Sequence, residues 1–246
     1  MPASGDIDPS KVIDLKASFK DGRLEWNAPE GKWQVFRLAH APTGANPHPL
    51  PDDLIGKTLE VDKLSRDLNI FHWDQVIEPM KEHLGPYLGM SFKHFLIDSY
   101  ETSTQSWTPA FREEFKQRKG YDPLPWLLAL QNRTVGDKDL SARFNWDHDD
   151  FIRTLYYENG WRTGHEKIKA VGMDLQFEPY GGQFDTVAGT ALADIPMGEF
   201  WTGKAGGINS TIVSAARAAG RTVVGADAFT GSPNVSKWSE TPEFLK

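Results

Sequence analysis

Four short apolar runs in this chain each end in a carboxylate. His94-Phe-Leu-Ile-Asp-Ser-Tyr-Glu101 delivers Asp98 and Glu101, and Asp174-Leu-Gln-Phe-Glu178 delivers Glu178. Ala193-Asp-Ile-Pro-Met-Gly-Glu199 delivers Glu199, and Thr222-Val-Val-Gly-Ala-Asp227 delivers Asp227. Two carboxyl groups across a sugar can cleave its glycosidic bond. One is protonated and donates to the leaving oxygen; the other is ionised and activates water or attacks carbon. A cluster of carboxylates has a second use, because it resists full ionisation unless a hard cation such as calcium sits in it. Taken singly, each acid is better explained as a helix cap or an ion-pair partner. Four at equivalent strand ends point to a shared site, because the strand ends of a parallel sheet open on one side.

Other chemistries find little support. The chain has no cysteine, which excludes disulfides, thiolate metal sites and a cysteine nucleophile. His148 lies in Asp147-His-Asp-Asp150, which reads as the solvated acidic first turn of a helix; no His-x-x-x-His spacing occurs. Gly203-Lys-Ala-Gly-Gly207 lacks the full phosphate-loop spacing, and Gly181-Gly182 is no dinucleotide fingerprint. There is no Gly-x-Ser-x-Gly elbow. The net charge of -7, without a basic cluster, argues against a nucleic-acid partner. No apolar run approaches the roughly 20 residues of a membrane span. The N-terminus has neither the basic nor the apolar region of a signal peptide, and the compartment stays unknown. Aromatic residues make up 12%, enough to fill a large core and leave some rings for sugar stacking.

The elements that must carry the acids follow from periodicity. From residue 90 onward the order reads β-α-α-β-α-β-α-β, which predicts a parallel sheet with helical crossovers. Asp62 is expected to cap a helix whose apolar stripe is Leu64, Leu68, Phe71, Ile77, Met80 and Leu84, with Pro79 kinking or shortening its last turns. Thr108-Pro109 opens the next helix and Gly120 closes it. Residues 141–170 read as a long helix with Phe144, Phe151, Leu155, Trp161 and Ile168 inward, weakened at Gly160 and Gly164. The glycines of Pro179-Tyr-Gly-Gly182 would let a ligand approach closely. Ile208 to Ala219 reads as a helix and Thr222 to Gly225 as the strand after it. Trp201 to Gly207 reads as a loop and Ser232 to Lys246 as a polar tail. Upstream, residues 12–40 read as three strands around a turn at Lys20-Asp-Gly-Arg23, followed by a proline-rich loop. The expected division is a β-rich segment over 1–58 and a catalytic region over 59–246. Only four strands of the βα kind are evident, and a closed barrel needs eight.

Several blocks carry a resemblance. Asp98-Ser-Tyr-Glu101, Ser106-Trp-Thr-Pro-Ala-Phe-Arg-Glu-Glu-Phe115, Lys119-Gly-Tyr-Asp-Pro123, Phe177-Glu-Pro-Tyr-Gly-Gly182, Asp194-Ile-Pro-Met-Gly-Glu-Phe-Trp201 and Gly225-Ala-Asp-Ala-Phe-Thr230 resemble, in order, glycoside hydrolase family 106, the α-L-rhamnosidases. Gly22-Arg-Leu-Glu-Trp26, Gly31-Lys-Trp33 and Leu59-Glu-Val-Asp-Lys-Leu-Ser65 extend the match upstream. The resemblance implies a (β/α)8 TIM-barrel α/β fold, incomplete in this chain, with a small N-terminal β segment. It implies a calcium-dependent, inverting hydrolase of terminal α-L-rhamnosyl residues, acting on a rhamnose-containing glycoside or polysaccharide. Glu101 would be the general acid and Asp227 the general base, where the family usually has glutamate. Asp98, Tyr100, Trp107, Glu178, Tyr180, Glu199 and Trp201 would bind substrate, with Glu178 and Glu199 the calcium candidates. Family members are much longer, which implies a fragment or shortened homologue and a periplasmic or secreted full-length protein. Open sheet edges would invite self-association. The competing expectation is a degenerate carbohydrate-binding module without turnover.

Overall fold

The computed structural model describes residues 6–47, 51–201 and 209–230. In chain order the strands and helices are β1 (Phe19–Lys20), β2 (Arg23–Leu24), α1 (Arg66–Leu84), β3 (His94–Ile97), α2 (Phe111–Lys119) and α3 (Lys138–Leu155). They continue with α4 (Arg162–Ala170), β4 (Asp174–Phe177), α5 (Thr186–Leu192), β5 (Ile195–Trp201), α6 (Asn209–Ala218) and β6 (Gly225–Thr230). A π-helical turn, Tyr156–Trp161, joins α3 to α4. The chain forms two compact units: Met1–Pro42 with Trp107–Phe151, and Thr43–Ser106 with Ile152–Lys246.

The second unit carries the parallel sheet, in the order β3-β4-β5-β6, each strand beside its successor in sequence. This is the parallel sheet expected from the alternation of elements, and it forms a half-barrel. Side chains alternate between its faces. One face packs on helices: Phe95 meets Trp73 of α1 at 5.3 Å and Phe177 meets Trp161 at 4.8 Å between ring centroids. Leu175 and Phe177 are fully buried there. The other face carries Leu96, Gln176, Met197 and Gly225, and beyond them the acids.

Two strand boundaries differ from expectation. β6 begins at Gly225, whereas residues 222–224 form no regular structure and Val223 is exposed. Asp227 therefore lies within a strand, and so does Glu199 of β5. Apolar character located the strand but could not tell its paired residues from its approach.

In α1 the cap is Ser65, whose hydroxyl accepts from the Leu68 N–H; Asp62 accepts from the Leu64 N–H instead. The buried face is Asn69, Trp73 and Ile77, while Leu68 and Phe71 point outward. Asn69 is tolerated inside because its amide donates to the carbonyls of Asp62 and Ser65. The helix continues past Pro79 to Leu84. The long segment from Lys138 is not broken at its glycines. Its expected inward residues are all buried, and Gly160 lies within the π turn. Added Cβ atoms would fall 3.3 Å from the Lys63 carbonyl oxygen at Gly160 and 2.6 Å from the Trp73 ring at Gly164. These glycines serve close packing.

In the first unit, Asp21 and Gly22 have φ of 49° and 78°, the paired positive values of a tight hairpin turn. The ladder it closes is only two residues long on each side. Trp33–Ala39 has a strand's composition but forms no regular structure among the described residues. α2 starts at Phe111 after Ala110, two residues later than Thr108-Pro109 suggests, and Gly120 ends it at φ 81°. The core is Phe111, Phe115, Phe144 and Phe151. His148 is buried against the Phe111 and Phe144 rings rather than solvated, because its position on α3 faces that core.

Candidate active site

The register of the sheet sets the site. Ile97 pairs with Phe177, so the next residues, Asp98 and Glu178, leave neighbouring strands at one level. The ladder extends one step further, with the Glu178 N–H donating to the Ile97 carbonyl at 3.0 Å. The two carboxyl groups are near enough for Asp98 to help raise the pKa of Glu178. Glu178 is 2% exposed, and burial, first of all, pushes its carboxyl up to about 7. The Tyr180 hydroxyl, donating to Glu178 Oε2 at 2.7 Å, opposes this; the charges of Asp98 and Asp227 reinforce it. Tyr180 is itself held neutral by burial, by that bond, and by the charges of Glu178, Glu199 and Asp98.

Glu199 and Asp227 pair in register between β5 and β6, on the same face. Their charges are felt at Tyr180 and Glu178 respectively. Asp227 is exposed and Glu199 half-buried. Glu101 follows on the loop after β3; its side chain is exposed and accepts a hydrogen bond from Ser99 Oγ at 3.0 Å. The Ser99 N–H donates to Asp98 Oδ1 at 2.8 Å. Glu178 and Tyr180 are thus in direct contact, with Asp98, Glu199 and Asp227 close enough to act on them through charge.

The aromatic candidates are placed differently. Tyr100 is buried, its hydroxyl donating to the Ser103 carbonyl at 2.7 Å. Its ring stands edge-on to Tyr156, Trp161 and Phe184. Trp107 belongs to the first unit, where it stacks on Phe111 at 4.6 Å. Trp201 ends β5; its side chain and residues 202–208 and 231–246, where the sequence predicts a loop and a polar tail, lie outside the described residues. The Pro179-Tyr-Gly-Gly182 glycines make room for the chain itself. A Cβ on Gly181 would sit 2.5 Å from the Tyr100 carbonyl oxygen, and the Tyr100 N–H donates to the Tyr180 carbonyl.

Asp194 has a structural place at the other end of β5. Its carboxylate accepts from the Leu175 N–H at 2.9 Å and lies 3.2 Å from His165 Nε2, with Lys169 nearby. Burial raises its pKa, but the Leu175 N–H and the charges of Lys169 and His165 more than offset this and leave it lowered. Sequence reasoning also passed over Tyr156 and Gln105, which hold the loop around Glu101. A tyrosine and a glutamine in a helix and a loop gave no spacing that could have marked them.

Among the described residues, no three histidines or carboxylates are grouped to hold a metal ion. Asp98 and Glu178 leave their strands side by side, and one Glu178 oxygen already accepts from Tyr180. Calcium takes six to eight oxygen ligands, so this donor set does not fit the ion by itself. None of the described helices is long and apolar enough to cross a membrane.

A family model described as alpha-L-rhamnosidase, glycoside hydrolase family 106, matches residues 2–246. A putative beta-glucuronidase of Formosa agariphila (strain DSM 15362 / KCTC 12365 / LMG 23005 / KMM 3901 / M-2Alg 35-1) is 36% identical over 249 residues, covering 100% of this chain and 21% of that protein. The fold is similar to that of a rhamnosidase from Novosphingobium sp. PP1Y, with a TM-score of 0.78 and 27% identity, over 97% of this chain and 24% of that one. The chain therefore spans about a fifth to a quarter of the length of these relatives. On these likenesses the chain belongs to glycoside hydrolase family 106, the α-L-rhamnosidase family.

Proposed function

We propose that this protein is a glycoside hydrolase that removes terminal α-L-rhamnosyl residues from a rhamnose-containing glycoside or polysaccharide, with inversion, on a sheet of the (β/α)8 type. The observation that carries this reading is the convergence of Asp98, Glu178, Glu199 and Asp227 on one face of the parallel sheet, with Glu101 on the adjoining loop. In the reaction, water attacks the anomeric carbon as the bond to the leaving oxygen breaks. Glu101, exposed where an aglycone would lie, gives its proton to that oxygen. Asp227, exposed on its strand, takes the proton of the attacking water. Inverting carboxyl pairs stand roughly 6.5–9.5 Å apart to leave room for that water. Asp98, Glu178, Tyr180 and Glu199 hold the sugar hydroxyls, and protonated Glu178 can donate where the others accept. Calcium, with Glu178 and Glu199 as its ligands, enters only as the resemblance implies it, and no step here depends on it. Family membership favours turnover over a sugar-binding module without catalysis.

Incubation with aryl α-L-rhamnosides, followed by proton NMR, tests this reading. Release of the inverted anomer, lost in Glu101→Gln on substrates with poor leaving groups, is expected. An aryl β-glucuronide belongs in the same panel, because the 36%-identical relative carries that name. Preferential cleavage of the glucuronide, or rhamnose binding without hydrolysis, would overturn the assignment.

A further inference from the structure

The loop that carries Glu101 is fastened by a closed chain of hydrogen bonds. The Tyr100 hydroxyl donates to the Ser103 carbonyl at 2.7 Å. Tyr100 has a single hydroxyl proton, so in its 3.0 Å contact with the Tyr156 hydroxyl it must accept. Tyr156 thus donates to Tyr100, and its own oxygen accepts the Gln105 N–H at 3.2 Å. The sequence of donors runs from Gln105 N–H to Tyr156 to Tyr100 to the Ser103 carbonyl. It begins and ends in the same loop, and each hydroxyl donates once and accepts once. Such chains polarise one another and strengthen in a buried setting. Tyr156 is fully buried and Tyr100 buried, which shields both hydroxyls from solvent.

The π turn is what presents Tyr156 there. Inserted turns of this kind recur at functional sites because they re-aim side chains within a continuous helix. This one makes two further attachments. Asn159 Nδ2 donates to the Leu64 carbonyl at 2.8 Å, and Gly160 lies against the Lys63 carbonyl. The Gln105 side chain ties the same two stretches together: its oxygen accepts the Lys63 N–H and its amide donates to the Val61 carbonyl, each at 2.8 Å. The segments 61–64 and 100–105 are thereby locked to each other and to one turn of helix.

We infer that Tyr156, presented by the π turn, is a positioning residue for the proposed acid: through Tyr100 and Gln105 it fixes the backbone on both sides of Glu101. This rests on the reading of Glu101 as proton donor. Displacement of such a group by a fraction of an ångström weakens proton transfer before it weakens sugar binding.

The test compares the protein with its Tyr156→Phe, Tyr100→Phe and Glu101→Gln variants on aryl α-L-rhamnosides whose leaving groups span a wide range of pKa. Tyr156→Phe removes one oxygen and conserves the ring; thermal unfolding verifies that it folds, and Tyr100→Phe carries the test if it does not. For both tyrosine variants the expected result is a fall in kcat on the order of 10-fold with a poor leaving group, KM unchanged, and little loss with an activated one that needs no protonation. Equal loss across leaving groups, a change confined to KM, or no change would overturn the inference. Absence of leaving-group dependence in Glu101→Gln would instead remove the acid assignment on which it rests. A selective Glu101→Gln effect with uniform tyrosine variants separates the two failures.

Discussion

Asp98 and Glu178 leave adjacent parallel strands at the same level, one step beyond the pairing of Ile97 with Phe177. Burial, first of all, makes the Glu178 carboxyl hold its proton, and the neighbouring charges of Asp98 and Asp227 reinforce this. Glu178 has its pKa raised from an ordinary 4.5 to about 7, so between these values the folded protein binds more protons than the unfolded chain. Stability must then fall as pH rises through that window. The full shift corresponds to roughly 3 kcal/mol. Glu178→Gln keeps an oxygen to accept from Tyr180. It should unfold like the parent at pH 4.5 and be more stable by about 1–3 kcal/mol at pH 8. Calorimetry at the two pH values checks this. A parent whose stability is flat over the window would show that Glu178 is not protonated in the fold.

Packing between α1 and α4 makes a second, opposite-signed case. Gly164 is in a helix, where alanine is normally favoured by about 1 kcal/mol. A Cβ there would lie 2.6 Å from the Trp73 ring, which is itself buried against Phe95. Overpacking of this kind costs typically 1–3 kcal/mol and exceeds the propensity gain. Gly164→Ala should therefore lower the denaturation midpoint. An increase would mean the Trp73 ring moves away at little cost.

These relations mark the limit of what the residues alone revealed. The parallel order of β3 to β6 was legible because apolar runs alternate with helical spacing, and the inward aromatics of α3 because they recur at helical intervals. The acids were legible because each follows such a run. Cap choice was not: Asp62 and Ser65 are both good caps, and only the fold decides which meets a free N–H. Nor was the outward turn of Leu68 and Phe71, since Trp73 fills the space against Phe95 and fixes the rotation of α1. The upstream strands failed because a strand's composition does not supply a neighbour; Trp33–Ala39 pairs with no strand among the described residues. The Gly181 contact with Tyr100 and the hydroxyl chain through Tyr156 join residues far apart in sequence, which no local pattern encodes.

Asp194 separates stability from catalysis. It binds the Leu175 N–H and faces His165 and Lys169 at the start of β5, away from the converging acids. Its pKa is lowered from 3.8 in the fold, so its stabilisation is present above that value and lost as pH falls through the folded pKa. Asp194→Asn should cost about 1–3 kcal/mol at neutral pH, with the difference narrowing in acid. The turnover number at saturating substrate should be unchanged at a temperature where both proteins are folded. A selective loss of turnover would contradict the structural placement.

Asp227 is the position where length of side chain decides the outcome. It pairs with Glu199 in the register of β5 and β6, inside the strand, so its carboxyl stands only one methylene, the Cβ, away from the backbone. The resemblance places a glutamate at this position in the family, and an inverting base must hold water at a set distance from the anomeric carbon. Asp227→Asn keeps the size but cannot take the proton, and should lower kcat by about 100-fold or more on every leaving group, activated ones included. That pattern differs from loss of an acid, which spares activated leaving groups. Asp227→Glu returns the longer arm to an exposed site with room for it. It should retain activity or raise it, because the carboxylate can then approach the water without movement of the strand. Azide added to Asp227→Ala would complete the argument, since a small anion can enter the space left by the missing carboxyl and attack in place of water. Restored turnover with a rhamnosyl azide of inverted configuration would identify Asp227 as the base. An Asp227→Asn variant with parental kcat would assign that task to another of the acids on this face.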